Sequence, residues 1–241
     1  MGSLLEDSSA FSANEGLISM KVAEHLYVYL WADPRENNCN SVFIDGKVPL
    51  LIDPGHRHRV ADLLNRLRGD GVDPARIRLI ICTHGHPDHF EGADTFKDHQ
   101  PVKVAMSRQE EEYIEEVGCH TYSQQGLAMP DYHVDLHLKE GDLILGKHEF
   151  QILLTPGHSP GSLSIYWPRH KILVTGDVVF AQGVGRVDFP GGDAKALRQS
   201  VERLEKLPVE LLIPGHGPAL QGEDRVRQNF DYIKTAFLGV R

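Results

Sequence analysis

The chain has 241 residues, 41% of them hydrophobic and 24% charged, with a net charge of −9. That length and composition suit an ordinary globular protein able to bury one core without covalent staples. The acidic balance argues against a polyanion such as nucleic acid as partner, and no apolar run reaches the length of a membrane span.

Residues 1–19 lack the basic start and long apolar stretch of a signal peptide. They are expected to form a polar, partly disordered leader, with a single domain over residues 20–241. Cys39, Cys82 and Cys119 are widely spaced, odd in number and form no C-x-x-C pair, which suits a reducing cytoplasm. Residues 20–30, rich in β-branched and aromatic side chains, predict a strand. Two short apolar runs, 41–45 and 49–53, predict a hairpin around Asp45-Gly46-Lys47. Ala61, Leu64 and Leu67 recur at helical spacing over 59–68, a segment closed by Gly69. A buried strand is predicted over 76–82, with Cys82 as a small core residue. A strand over 101–106 follows, after which Ser107 caps an acidic helix running to about residue 117. Residues 119–132 show no clear period. Strands are predicted over 134–138, 143–145, 149–154, 162–167 and 171–175, then a helix over 193–206, a strand over 210–213 and a helix over 223–238. Strands and helices thus alternate twice over. The layout predicts an α/β protein with two packed sheets flanked by helices, a four-layer αβ/βα sandwich.

Seven side chains carry the chemistry. Thr83-His84-Gly85-His86-Pro87-Asp88-His89 holds an H-x-H-x-D-H cluster just past a predicted strand, where a fixed backbone presents loop side chains. His158 follows in Thr155-Pro156-Gly157-His158, Asp177 in Thr175-Gly176-Asp177, and His216 in Ile213-Pro214-Gly215-His216. His84 and His86, two apart across Gly85, can converge on one ion. His158 completes a three-histidine face that leaves a coordination position open, as catalytic zinc sites do. Asp88 and His89, at the start of the next helix, face a second ion with His216 as its third ligand. Asp177 is placed to bridge the two. The expected cofactor is a pair of divalent metal ions, zinc first, with iron or manganese as alternatives. Such a pair makes hydroxide at neutral pH, so a hydrolase is the expected class. A closed structural site or a metal-storage role is the non-enzymatic alternative.

These motifs resemble the metallo-β-lactamase superfamily over about residues 20–236. Within it, Gly183-Val184-Gly185-Arg186-Val187-Asp188-Phe189-Pro190-Gly191-Gly192-Asp193 is similar to short glyoxalase II-like (hydroxyacylglutathione hydrolase-like) enzymes and to persulfide dioxygenases. By position, the resemblance implies His84, His86 and His158 on the first metal, Asp88, His89 and His216 on the second, and Asp177 shared. Asp88 and Asp177 are then the catalytic carboxylates, and a hydroxide held between the ions attacks the carbonyl of a small thioester, of glutathione type. Asp177 is intact where β-lactamases of the superfamily mostly carry another residue, so β-lactam hydrolysis is not expected. Full-length glyoxalase II enzymes add a C-terminal helical domain that helps bind glutathione, and 25 residues follow His216 here. The persulfide dioxygenase alternative implies a single iron on His84, His158 and Asp177. Lactone or ester hydrolysis on the same seven ligands is a further alternative. Neither nucleic acid nor a membrane is an expected partner, and homo-oligomer formation is left open.

Arg186 is a candidate for holding a substrate carboxylate, with a loop-fixing salt bridge to Asp188 or Asp193 as the equal alternative. Asp53, in Ile52-Asp53-Pro54-Gly55, resembles a recurring superfamily position near the site and is expected to orient a ligand histidine through its far ring nitrogen. His56 and His58 are expected to be surface histidines, one of which could reach the cleft. Tyr113, Tyr122 and Met129 either shape the pocket or simply pack. The run Glu110-Glu111-Glu112, with Glu115-Glu116, is expected to be a solvated helix face. His99, His120, His133, His137, His148 and His170 have no usable spacing.

Overall fold

The computed structural model describes residues 16–33, 35–97, 101–237 and 239. Seven strands form the first sheet in chain order: β1 (Leu17–Ala23), β2 (Leu26–Trp31), β3 (Ser41–Ile44), β4 (Leu50–Ile52), β5 (Leu79–Ile81), β6 (Lys103–Ser107) and β7 (Leu136–Leu138). The first four strands pair antiparallel, and β4 to β7 pair parallel. Parallel neighbours need crossovers, supplied by α1 (Val60–Gly69), by α2 (Pro87–Phe90) with α3 (Ala93–Lys97), and by α4 (Arg108–Tyr113) with α5 (Cys119–Gln124). The runs Leu50-Leu51-Ile52 and Leu79-Ile80-Ile81 are buried throughout, as strands covered on both faces must be.

The second sheet is built from β8 (Gly141–Leu145), β9 (His148–Leu154), β10 (Leu163–Trp167), β11 (Ile172–Gly176), β14 (Leu211–Pro214) and β15 (Leu220–Gln221). A two-stranded ribbon, β12 (Val179–Phe180) with β13 (Gly183–Val184), branches off after β11. Two helices, α6 (Ala194–Leu204) and α7 (Glu223–Ala236), cover the outer face. The period-2 alternation of strands sorts side chains between layers. Leu50, Ile52, Leu79 and Ile81 meet Ile152, Ile165, Val174 and Ile213 of the second sheet. Leu51 and Ile80 instead meet Leu63 and Leu67 of α1, while Leu173 and Leu212 meet Leu197, Val201 and Phe230 of the outer helices. The result is the expected four-layer αβ/βα sandwich, in the metallo-β-lactamase fold.

Several elements differ from expectation. The predicted strand over 20–30 is two antiparallel strands, because Glu24-His25 turns the chain and pairs Ala23 with Leu26. β1 begins at Leu17, inside the predicted leader, whose first fifteen residues lie outside the described ones, as do His99 and Leu238. The segment after Val117 is helical as far as Gln124. A π-helical turn, Ile114–Gly118, joins α4 to α5 and breaks the 3.6-residue period that sequence patterns follow. Tyr113 and Tyr122 are core residues, and Met129 packs against the same cluster. Among the described residues no helix is long and apolar enough to cross a membrane.

Candidate metal centre

All seven singled-out side chains come from strand ends at one edge of the two sheets. β11 and β14 are parallel, and β9 runs the same way because β10 is antiparallel to both β9 and β11. Their C-terminal ends therefore open on the same side and deliver His158, Asp177 and His216. β5 of the first sheet delivers His84 and His86 on its following loop, and α2 carries Asp88 and His89. The Gly176–Pro214 pairing sets Asp177 beside His216, reinforced by the Gly215 N–H donating to the Gly176 carbonyl at 2.8 Å. Only glycine fits at position 215, where a Cβ would stand 2.1 Å from Asp177 Oδ1.

Two groups result, His84 with His86 and His158, and Asp88 with His89 and His216. Each takes two members from the segment after β5, the loop for the first group and α2 for the second, and one from the second sheet. His86 Nδ1 lies 2.9 Å from His158 Nε2, and His89 Nε2 lies 3.3 Å from His216 Nε2. Asp88 Oδ2 lies 3.1 Å from His216 Nε2. Asp177 stands between the groups, its Oδ1 3.2 Å from His89 Nε2 and its Oδ2 3.5 Å from both His158 Nε2 and His216 Nε2. Donors ~2.0–2.1 Å from a tetrahedral ion sit about 3.3 Å apart, so these spacings fit shared ions. The buried atoms His84 Nε2 and Asp177 Oδ1 have no hydrogen-bond partner, a costly state for polar groups unless something else binds there. The residues present fit a pair of metal ions.

Outer contacts aim the imidazoles. His84 Nδ1 lies 3.1 Å from the Thr83 hydroxyl, and His158 Nδ1 is 2.8 Å from the Arg186 carbonyl oxygen. His89 Nδ1 is 2.9 Å from Asp53 Oδ2, the role expected of Asp53. Asn37 Nδ2 donates to Asp88 Oδ2 at 2.7 Å.

Electrostatics split the groups. Burial holds the His84 imidazole well below its ordinary pKa, and burial with neighbouring His158 lowers His86 to about 4. Burial also pulls on His216, but Asp177 and Asp88 outweigh it and raise the ring to about 10. His89 behaves likewise, raised well above its usual value by Asp177, Asp53 and Asp88 against burial. Burial favours the neutral acid at Asp177, yet His216 and His89 outweigh it and hold the carboxyl well below its usual range. Without metal, the aspartates and the second group neutralise one another, while burial keeps His84 and His86 neutral.

The groups open into a cleft of about 600 Å³. Thr121, Gln124 and Gln125 line one wall, with Asn37 on the rim, and Phe180, Arg186, Phe189 and Pro190 line the other. The Arg186 side chain forms the loop-fixing alternative, pairing with Asp188 through Nε at 2.9 Å and Nη2 at 2.6 Å and stacking on Phe189. Contrary to expectation, His56 is buried, 2.9 Å from Glu91 Oε2, while His58 is exposed.

Glu110 also overturns an expectation. Instead of lying on a solvated face it is wholly buried, while Glu112, Glu115 and Glu116 are exposed. The signal was present: Ser107-x-x-Glu110 opens the helix, and Glu110 precedes Tyr113 and Ile114 by the three and four residues that share a helix face. Burial raises its carboxyl pKa against the pull of three donors.

Residues 34–216 match the family model of the metallo-beta-lactamase superfamily. The chain belongs to that superfamily. It is 31% identical to the hydroxyacylglutathione hydrolase GloC of Haemophilus influenzae over 76% of this chain and 86% of that one. It is also 31% identical to the human mitochondrial persulfide dioxygenase ETHE1, over 58% of this chain and 49% of the human protein. Among solved structures, TTHA1623 in a di-iron-bound form is 33% identical, with a TM-score of 0.66, covering 76% of this chain and 89% of that one.

Proposed function

We propose that the protein is a dinuclear metal-dependent hydrolase acting on a small thioester of the glyoxalase II kind. The observation that carries the reading is the Asp177 carboxylate, within 3.5 Å of ring nitrogens from both histidine groups. His84, His86 and His158 would hold one ion, Asp88, His89 and His216 the other, and Asp177 both. Bound there, such ions supply Lewis acidity and a water acidified to near neutrality. Zinc suits the donors first, with iron or manganese as alternatives. Asp88, anchored by Asn37, would take a proton from the attacking water and return it to the departing thiolate, so that an acid and a thiol leave the site. The amides of Gln124 and Gln125 and the face of Phe189 position the acyl and leaving arms. Hydrolase relatives that share most of the chain support the reading. The site lies in a chain we place in the cytoplasm as a single domain, its start moved from residue 20 back to Leu17 by β1.

The test is metal analysis of protein purified without added metal, followed by assay of S-lactoylglutathione, an acyl-homoserine lactone and nitrocefin. About two ions per chain and preferred thioester cleavage are expected. Preferred lactone cleavage replaces the substrate while keeping the metal centre. The kinship with ETHE1 favours a second reading, a single-iron persulfide dioxygenase on His84, His158 and Asp177. One iron per chain with oxygen uptake on glutathione persulfide would establish it instead.

A further inference from the structure

Ser107 caps α4, its hydroxyl accepting the Glu110 N–H at 3.1 Å. A glutamate at this third helical position usually turns back to the cap residue's own N–H, closing a capping box. Glu110 does not. Its Oε1 accepts the Gly85 N–H at 2.9 Å, and its Oε2 accepts the Ser159 hydroxyl and the Gly161 N–H, each at 2.8 Å. Gly85 lies between His84 and His86, and Ser159 follows His158. The Ser107 hydroxyl completes the join by donating to the Gly161 carbonyl at 2.6 Å. One fully buried carboxylate thus spans the two chain segments that carry the three histidines of the first group. The approach is too close for a side chain at position 161, where a Cβ would stand 2.3 Å from both the Glu110 nitrogen and the Ser107 hydroxyl.

We propose that Glu110 is a positioning residue for the first metal, its carboxylate setting the separation between the His84–His86 loop and the His158 turn. This rests on the metal-centre reading above. Three donors to one charged acceptor hold both loops at a fixed distance, as partners behind metal ligands do. The second group is supported by other residues: His89 is aimed by Asp53, and the turn carrying His216 is held by Asn40, whose Nδ2 donates to the Pro214 and Gly217 carbonyls. Loss of Glu110 therefore falls on one site and not evenly on both.

The test uses the full chain loaded with Co²⁺, whose visible bands report ligand geometry, and a chelator competition that resolves the two sites. Glu110→Gln keeps the length but turns an amide donor toward backbone N–H donors. It is expected to weaken the His84/His86/His158 site about 10-fold or more and shift its bands, leaving the other site within about twofold. Ser159→Ala, which removes one donor and leaves the carboxylate in place, is expected to shift the same site in the same direction by less. It decides alone if Glu110→Gln does not fold. Equal weakening of both sites, or unchanged bands and affinity in these variants, overturns the proposal. A wild-type chain that binds no Co²⁺ overturns the metal-centre reading instead.

Discussion

Oδ2 of Asp53 lies 2.9 Å from Nδ1 of His89 and accepts the Thr83 hydroxyl at 2.8 Å, while Oδ1 accepts the Thr83 N–H at 2.7 Å. One carboxylate therefore ties the end of β4 to the end of β5 and aims a ligand of the second group. Asp53 has φ 52°, a left-handed conformation that Asp and Asn tolerate better than most residues. Asp53→Asn keeps that backbone and removes the charge. Metal affinity at the Asp88/His89/His216 site is expected to fall about 10- to 100-fold, and the first site by less, because Asp53 reaches His84 only through the Thr83 hydroxyl, as read by chelator competition.

Asp177→Ala removes the side chain that touches both groups. Metal content is expected to drop from about two ions to one or fewer per chain, and kcat/KM on the best substrate by at least ~100-fold, beyond what losing an outer contact costs. Mass spectrometry of metals beside steady-state kinetics checks both. Full activity with two ions bound would show that Asp177 does not bridge.

Gln124 and Gln125 line the cleft from α5 and its C-terminal end, away from the metal groups' own contacts. Alanine at either position is expected to raise KM by about fivefold with kcat held, the factor that one hydrogen bond of ~1 kcal/mol carries. A fall in kcat at constant KM would instead give these amides a role in the reaction step.

His148 lies far from the metal groups, its ring 5.0 Å from Trp167 and its Nε2 donating to the Asp45 carbonyl at 3.0 Å. Burial, then nearby Lys147, His25 and Arg169, lower its pKa from 6.5. The unfolded chain then binds the proton more readily. The stability His148 contributes is complete above the unfolded value and lost as pH falls through the folded one. Metal-free His148→Gln is expected to lose less Tm than the wild type between about pH 7 and pH 5. Equal slopes in thermal scans would remove His148 from the acid response.

The seven clustered side chains were legible in the sequence because their spacing is tied to turns, and turns are written in local residues such as Gly85, Gly157 and Gly215. Asp53 was legible through resemblance, since Ile52-Asp53-Pro54-Gly55 is similar to a recurring position of the superfamily. The helical wall bearing Gln124 was not, since the π turn at Ile114–Gly118 shifts the phase on which a helical pattern depends. Glu110 was misread because charge was weighed above position, although Tyr113 and Ile114 mark its face as the buried one. The Arg186 carbonyl that meets His158 had no signature, since a backbone oxygen is common to all residues. β1 and β2 merged in the reading because Glu24-His25 lacks the Gly or Asn that announces a tight turn.

Each group draws two members from below the seam between the sheets and one from above it. An ion held at either place would therefore act as a rivet through both layers. Stripping it should let the layers part more readily, and amide protons along β5 and β11 should then exchange with solvent together rather than strand by strand.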